Sequence, residues 1–155
     1  MSHPLLQKIV SGGQTGVDRA ALDVAISLNI DHGGWCPAGR RSEAGLIPAI
    51  YRLQPTTSRN YAVRTEQNVI DSDGTLILYF ARMSSGTFLT RKMAEKYQRP
   101  LRVIDLNRTV ENTSEQLREW LKENDIKVLN VAGPRESTNP GIAQLAQAFL
   151  RELLQ

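Results

Sequence analysis

The run Ser11-Gly12-Gly13-Gln14-Thr15-Gly16-Val17-Asp18-Arg19 has the residue types of an anion-binding turn. It lies between a short apolar run, Lys8 to Ser11, and a helical pattern that starts at Val17. Gly12, Gly13 and Gly16 let the chain turn tightly and let a ligand come close to the backbone. Free amides at a helix start, reinforced by the helix dipole, favour negative charge. Gln14 belongs to the same turn, and Thr15 adds a hydroxyl donor. The expectation is that the amides from Gly13 to Gly16, with Thr15, hold a phosphate. The run is not a Walker A loop, because no Gly-Lys-Ser/Thr follows, and its glycine spacing differs from the dinucleotide fingerprint. Asp18, in the first helical turn, either compensates the dipole or reads ligand hydroxyls or a base edge.

Two further turns offer related chemistry. Met83-Ser84-Ser85-Gly86-Thr87 follows an apolar strand pattern and opens a helix. It is either an anion nest or an ordinary cap made by Ser84 or Ser85. Ala132-Gly133-Pro134-Arg135-Glu136-Ser137 follows the last strand pattern and supplies Gly133 and Arg135. In an open parallel sheet all three turns share the carboxyl edge, where ligands bind.

Arg40 and Arg41 lie in a stretch from Trp35 to Asn60 that is rich in proline and glycine and gives only scraps of helical pattern. Structureless loops beyond about 12–15 residues are uncommon in compact domains and often functional. The stretch is either a solvated basic loop or one that closes over an anion, with Arg40 or Arg41 as a clamp. Glu66 falls among Ala62, Val63, Val69 and Ile70 on a helical pattern. A carboxylate in apolar surroundings needs a partner or stays neutral. Its readings are an ion pair, for instance with an arginine of the long loop, or a functional role in binding ligand hydroxyls or as a general acid or base. Cys36, His3 and His32 have no zinc-like spacing, so no metal ligand is assigned.

The elements that must position these residues alternate. Strand patterns cover Lys8–Ser11, Gly74–Phe80, Leu101–Leu106 and Val128–Ala132. Helical patterns cover Val17–Leu28, Tyr61–Ser72, Thr87–Tyr97 and Thr113 or Ser114 to about Asn124. A last helix buries Ile142, Leu145, Phe149, Leu150 and Leu153, with Asn139 and Pro140 as its cap and first position. The expected fold is α/β, three-layered and Rossmann-like, with a mainly parallel sheet and helices on both faces. Residues 1–155 read as one domain.

The formal net charge is +3, and the charged fraction is 23%. No dense basic stripe marks a nucleic-acid partner. One cysteine excludes an internal disulfide and fits a reducing compartment. Met1-Ser2-His3-Pro4-Leu5-Leu6 lacks the charged start and apolar run of a signal peptide, and no stretch is apolar enough to span a bilayer. A cytoplasmic location with no membrane partner is expected.

Gly12 to Arg19, Gly33-Gly34-Trp35-Cys36-Pro37, Arg64-Thr65-Glu66-Gln67-Asn68-Val69 and Asp73-Gly74-Thr75-Leu76-Ile77 together resemble the proteins named as molybdenum carriers. Ser84 to Thr87 and Asn130 to Ser137 fit the same pattern. Those proteins form the circularly permuted YpsA-like branch of the Rossmann-like SLOG superfamily, which includes LOG-type nucleotide hydrolases and DprA-like proteins. The resemblance covers nearly the whole chain. It implies a Rossmann-like sheet and a nucleotide-derived ligand, and the carrier name implies molybdenum cofactor, a pterin with a phosphate. The hydrolase motif Pro-Gly-Gly-x-Gly-Thr-x-x-Glu is absent, and Thr90 stands where its glutamate would fall.

Three readings follow. The first is a binding protein for a small phosphorylated nucleotide-like ligand: molybdenum cofactor, a free nucleotide or a nucleotide sugar. The second is a hydrolase cutting a nucleotide at its sugar, with Glu66 as the catalytic carboxylate. The third is a homo-oligomeric assembly module with a vestigial pocket, joined through the apolar helices at Val17–Leu28 and the C-terminus.

Overall fold

The computed structural model describes residues 5–155. In chain order its elements are β1 (Lys8–Val10), α1 (Val17–Ser27), β2 (Asp31–Gly33), β3 (Trp35–Cys36), β4 (Arg41–Ser42), β5 (Gly45–Leu46) and β6 (Gln54–Pro55). There follow α2 (Tyr61–Ile70), β7 (Gly74–Tyr79), α3 (Ser85–Lys96), β8 (Leu101–Asp105), α4 (Thr113–Glu123), β9 (Val128–Ala132) and α5 (Ile142–Leu154). The main sheet has five strands in the order β2-β1-β9-β7-β8, and every pairing in it is parallel. The fold is the α/β Rossmann-like arrangement expected from the alternating pattern.

Burial explains the arrangement. The central strands β7 and β9 are buried on both faces, as a parallel sheet covered on both sides requires. On one face Ile9, Leu76, Leu78, Leu129 and Val131 share a core with α1, α4 and α5. Alanines at 20, 21 and 25 let α1 lie close to α5. The apolar faces of these two helices largely cover each other within one chain, while Leu145, expected to be buried, is 46% exposed. On the other face α2 packs against α3, and α3 meets β7 and β8. The layer here is polar as well as apolar. Thr65, Asn68, Thr75, Thr87, Thr90 and Asn130 are all buried.

Several boundaries differ from expectation. β2 is an edge strand that the sequence reading did not include. Its residues, Asp31-His32-Gly33, alternate too briefly to mark a strand. The stretch from Trp35 to Asn60 is structured. β3 pairs with β6, β4 pairs with β5 as an antiparallel hairpin, and Cys36, Ile47, Tyr51 and Leu53 form a second small core with Leu22. α5 is capped by Gly141, in a left-handed conformation, rather than by Asn139 with Pro140. α4 is preceded by Asn112, and Thr113 is its first helical residue. Ser84 caps α3 as expected, accepting from the Thr87 amide. No helix among the described residues is long and apolar enough to cross a membrane.

Candidate functional site

The site follows from the sheet order. β1 and β7 flank β9, so the turns leaving their carboxyl ends start side by side. These are the turns at 11–16, 80–84 and 133–141. Gly16 has φ +81°, and a Cβ there would lie 2.3 Å from the Pro134 carbonyl oxygen. Only glycine permits that crossing. The Val17 amide donates to the same carbonyl at 3.2 Å. The first and third turns are thereby locked together.

Between the turns lies a cavity of about 260 Å³. The first turn and α1 give it Gln14 and Asp18. α2 gives Tyr61, Arg64 and Thr65. The start of α3 gives Ser84, Ser85, Gly86, Thr87, Leu89 and Thr90. The end of β9 gives Ala132, and the third turn gives Gly133, Arg135, Ser137 and Thr138.

Its floor is a buried ion pair. Arg64 Nη1 lies 3.3 Å from Asp18 Oδ2, with the two side chains 14% and 4% exposed. Such burial leaves little room for water to satisfy either charge. Burial pushes the Asp18 carboxyl up, opposed by the Arg64 charge and by the Gln14 amide. Arg64 Nε is buried and finds no acceptor among the described residues. α2 is aimed by two devices. Asn60 caps it by accepting from the Ala62 amide. Asn68 binds both the amide and the carbonyl of Trp35, at 2.7 and 2.9 Å. Arg64 is thereby laid over Gly12, where a Cβ would stand 1.8 Å from Nη1.

Facing this pair is the first turn of α3. The Ser85 and Gly86 amides make no hydrogen bond to a described residue. They are the orphan donors of a helix start. Ser84 Oγ lies 2.8 Å from Thr87 Oγ1, so two hydroxyls stand beside the free amides.

Other expected residues serve different ends. In the first turn the Gly13 amide donates to Ser11 Oγ, Gln14 to Asp18 Oδ2 and Thr15 to Gln14 Oε1. In this structure those three amides are engaged within the turn. Thr15 instead turns its hydroxyl to Glu43 and accepts from the Glu136 amide. Arg40 is not a clamp at the cavity. Its guanidinium donates to the carbonyls of Leu53, Ile47, Pro48 and Tyr51 and fastens the long loop to itself. Arg41 is exposed in the β4–β5 hairpin and does not line the cavity.

Glu66 is likewise outside it. It accepts from Tyr97 Oη at 2.6 Å and Lys96 Nζ at 3.3 Å, at the far end of α3. Those hydrogen bonds, Tyr97 first, hold its carboxyl below the usual range. The ion-pair reading therefore describes Glu66, with a lysine rather than a loop arginine. Arg64 is the residue the site adds. Its position beside Tyr61 and Asn68 on one side of a helix was visible in the sequence, but its meeting with Asp18 was not.

A family model described as the circularly permutated YpsA SLOG family matches residues 9–154. The chain belongs to that family. A solved structure from Syntrophus aciditrophicus SB, named "Putative molybdenum carrier protein", is similar to it with a TM-score of 0.95 at 45% identity. The match covers 98% of this chain and 97% of that one. No curated protein matches the chain.

Proposed function

We propose that the chain binds a small phosphorylated, nucleotide-like ligand in the cavity between α2, α3 and the third turn. The observation that carries this reading is that a guanidinium, a helix start with free amides and two hydroxyls line one cavity. On one side is the Arg64 guanidinium, with its side chain 14% exposed and Nη1 paired with Asp18. On the other are the free Ser85 and Gly86 amides at a helix start. A hydrogen bond from a guanidinium to an oxyanion is about twice as strong as one between neutral groups. Asp18 and Gln14 then stand where ligand hydroxyls or a base edge can be read. Most of the lining groups are polar, which suits a sugar phosphate better than a lipid.

The name of the similar structure points to molybdenum cofactor as one candidate, with a free nucleotide or nucleotide sugar beside it. The donor set fits the phosphate of such a group, with Arg64, Ser84, Ser85 and Gly86 as its holders. The protein supplies no thiolate there. Cys36, its one cysteine, is buried beside Leu22 and Leu53, away from the cavity, and burial pushes its thiol up.

A hydrolytic reading rests on one observation. Asp18 is the carboxylate that lines the cavity, and its burial is the sort that tunes an acid or base. If turnover occurs, Asp18 and not Glu66 carries it.

Native mass spectrometry of freshly purified protein, with identification of what is released on denaturation, tests the reading. A stoichiometric phosphorylated heterocycle is expected. A bound compound without an anionic group contradicts it. So does an empty protein that also ignores added nucleoside phosphates.

A further inference from the structure

Glu43 sits at the tip of the β4–β5 hairpin, beside the cavity mouth. Its carboxylate is surrounded by donors from two other segments. Oε2 accepts from the Thr15 hydroxyl and from the Ser137 amide, the latter at 3.1 Å. Oε1 accepts from the Ser137 hydroxyl and lies 4.0 Å from Arg135 Nη1. Two hydroxyls, a main-chain amide and a guanidinium around one anion form the donor set that holds a phosphate-class oxyanion. Arg135 and Ser137 also line the cavity.

The hairpin that brings Glu43 there has little else to hold it. Residues 41–46 bury no apolar side chain, and Leu46 is 76% exposed. Gly45 has nothing within 4 Å of a Cβ position. Beyond the carboxylate, the tip is tied down by the Glu43 amide, which donates to Gln14 Oε1 at 2.9 Å. Its anchorage is thus polar and centred on one charge.

We infer that Thr15, Ser137 and Arg135 form an oxyanion subsite at the cavity mouth, and that Glu43 is an internal anion filling it until a ligand phosphate displaces the hairpin tip. The inference rests on the cavity's being a phosphorylated-ligand site. It adds a second anion position and a competitor built into the chain. A tethered competitor acts at high effective concentration, so it weakens ligand binding without touching the rest of the cavity.

The test is calorimetric titration of the full chain with inorganic phosphate and, separately, with a nucleoside monophosphate. Glu43→Ala is expected to bind inorganic phosphate at least about tenfold more tightly than the native chain. Adding Ser137→Ala to that variant should abolish the gain. Glu43→Gln keeps the shape, loses the charge, and should show a smaller gain; it carries the test if the alanine variant does not fold. Equal or weaker phosphate affinity in a folded Glu43 variant overturns the inference and makes the carboxylate a structural clasp. If the native chain then still binds the nucleoside monophosphate, the cavity reading survives alone. If no form binds either probe, both readings fall.

Discussion

Asp18 and Arg64 are 46 positions apart, yet they form the buried pair on which the site is built. Removing one partner leaves the other charge buried and unpaired. Arg64→Ala is therefore expected to cost about 3 kcal/mol of unfolding free energy or more. Urea denaturation of Arg64→Ala, Asp18→Ala and the double variant should show the double losing less than the sum. Strict additivity would show that the pair is not coupled. Glu66 behaves otherwise. Glu66→Gln should leave ligand binding unchanged, as read by titration, because its partners Lys96 and Tyr97 lie off the cavity. The contrast shows what was legible at this scale. Helical spacing set Glu66 among Ala62, Val63 and Val69, and Arg64 beside Tyr61. Spacing gives the direction of a side chain on its own helix, not the element across from it. The same limit hid Glu43, whose partners come from turns 28 and 94 positions away.

At the scale of elements, glycine marked the turn correctly. The Ser11–Gly16 run does join a strand to a helix. The Gly13, Gln14 and Thr15 amides are engaged by Ser11, Asp18 and Gln14, and Gly12 and Gly16 serve close crossings. Gly16→Ala should destabilise the fold by at least about 1–3 kcal/mol, since it combines a left-handed φ with a clash against Pro134. A loss of only about a few tenths of a kcal/mol in thermal unfolding would show that the two turns can separate. Long periodic helices and the apolar central strands were plain in the sequence. β2 was not, because its three residues are held by pairing and by a neighbouring loop rather than by pattern.

β2 carries a pH dependence with a definite sign. His32 Nε2 accepts from the Arg52 amide at 3.1 Å, which only a neutral imidazole can do. Burial, helped by the Arg52 charge and opposed by Asp31, lowers its pKa below 6.5. Below that value the unfolded chain takes up a proton that the folded chain resists. Stability should fall as pH drops below 6.5, and be fully present above it. Melting temperatures on either side of 6.5 should therefore diverge more for the native chain than for His32→Asn. Equal divergence would remove His32 from the account.

For the whole molecule, the alternation of strands and helices implied a parallel sheet, and a parallel sheet implied a ligand edge. The strand order β2-β1-β9-β7-β8 was beyond the sequence, since no local pattern records which strands become neighbours. That order decides the site. It places β9, late in the chain, between β1 and β7, and so brings its turn against the other two. The mild charge of +3 adds no long-range field to explain binding. The proposed recognition therefore rests on the short-range donors at the cavity.

Those donors can be watched directly. The most direct measurement is a titration of the isotope-labelled chain with inorganic phosphate, following each backbone amide and the Arg64 Nε–H by NMR. The account predicts saturable shifts concentrated at Ser85, Gly86, Thr87 and Arg64, with the amides of Gly13 and Thr15 little moved. Shifts centred on the glycine turn instead, or no response at α3 and Arg64, would contradict it.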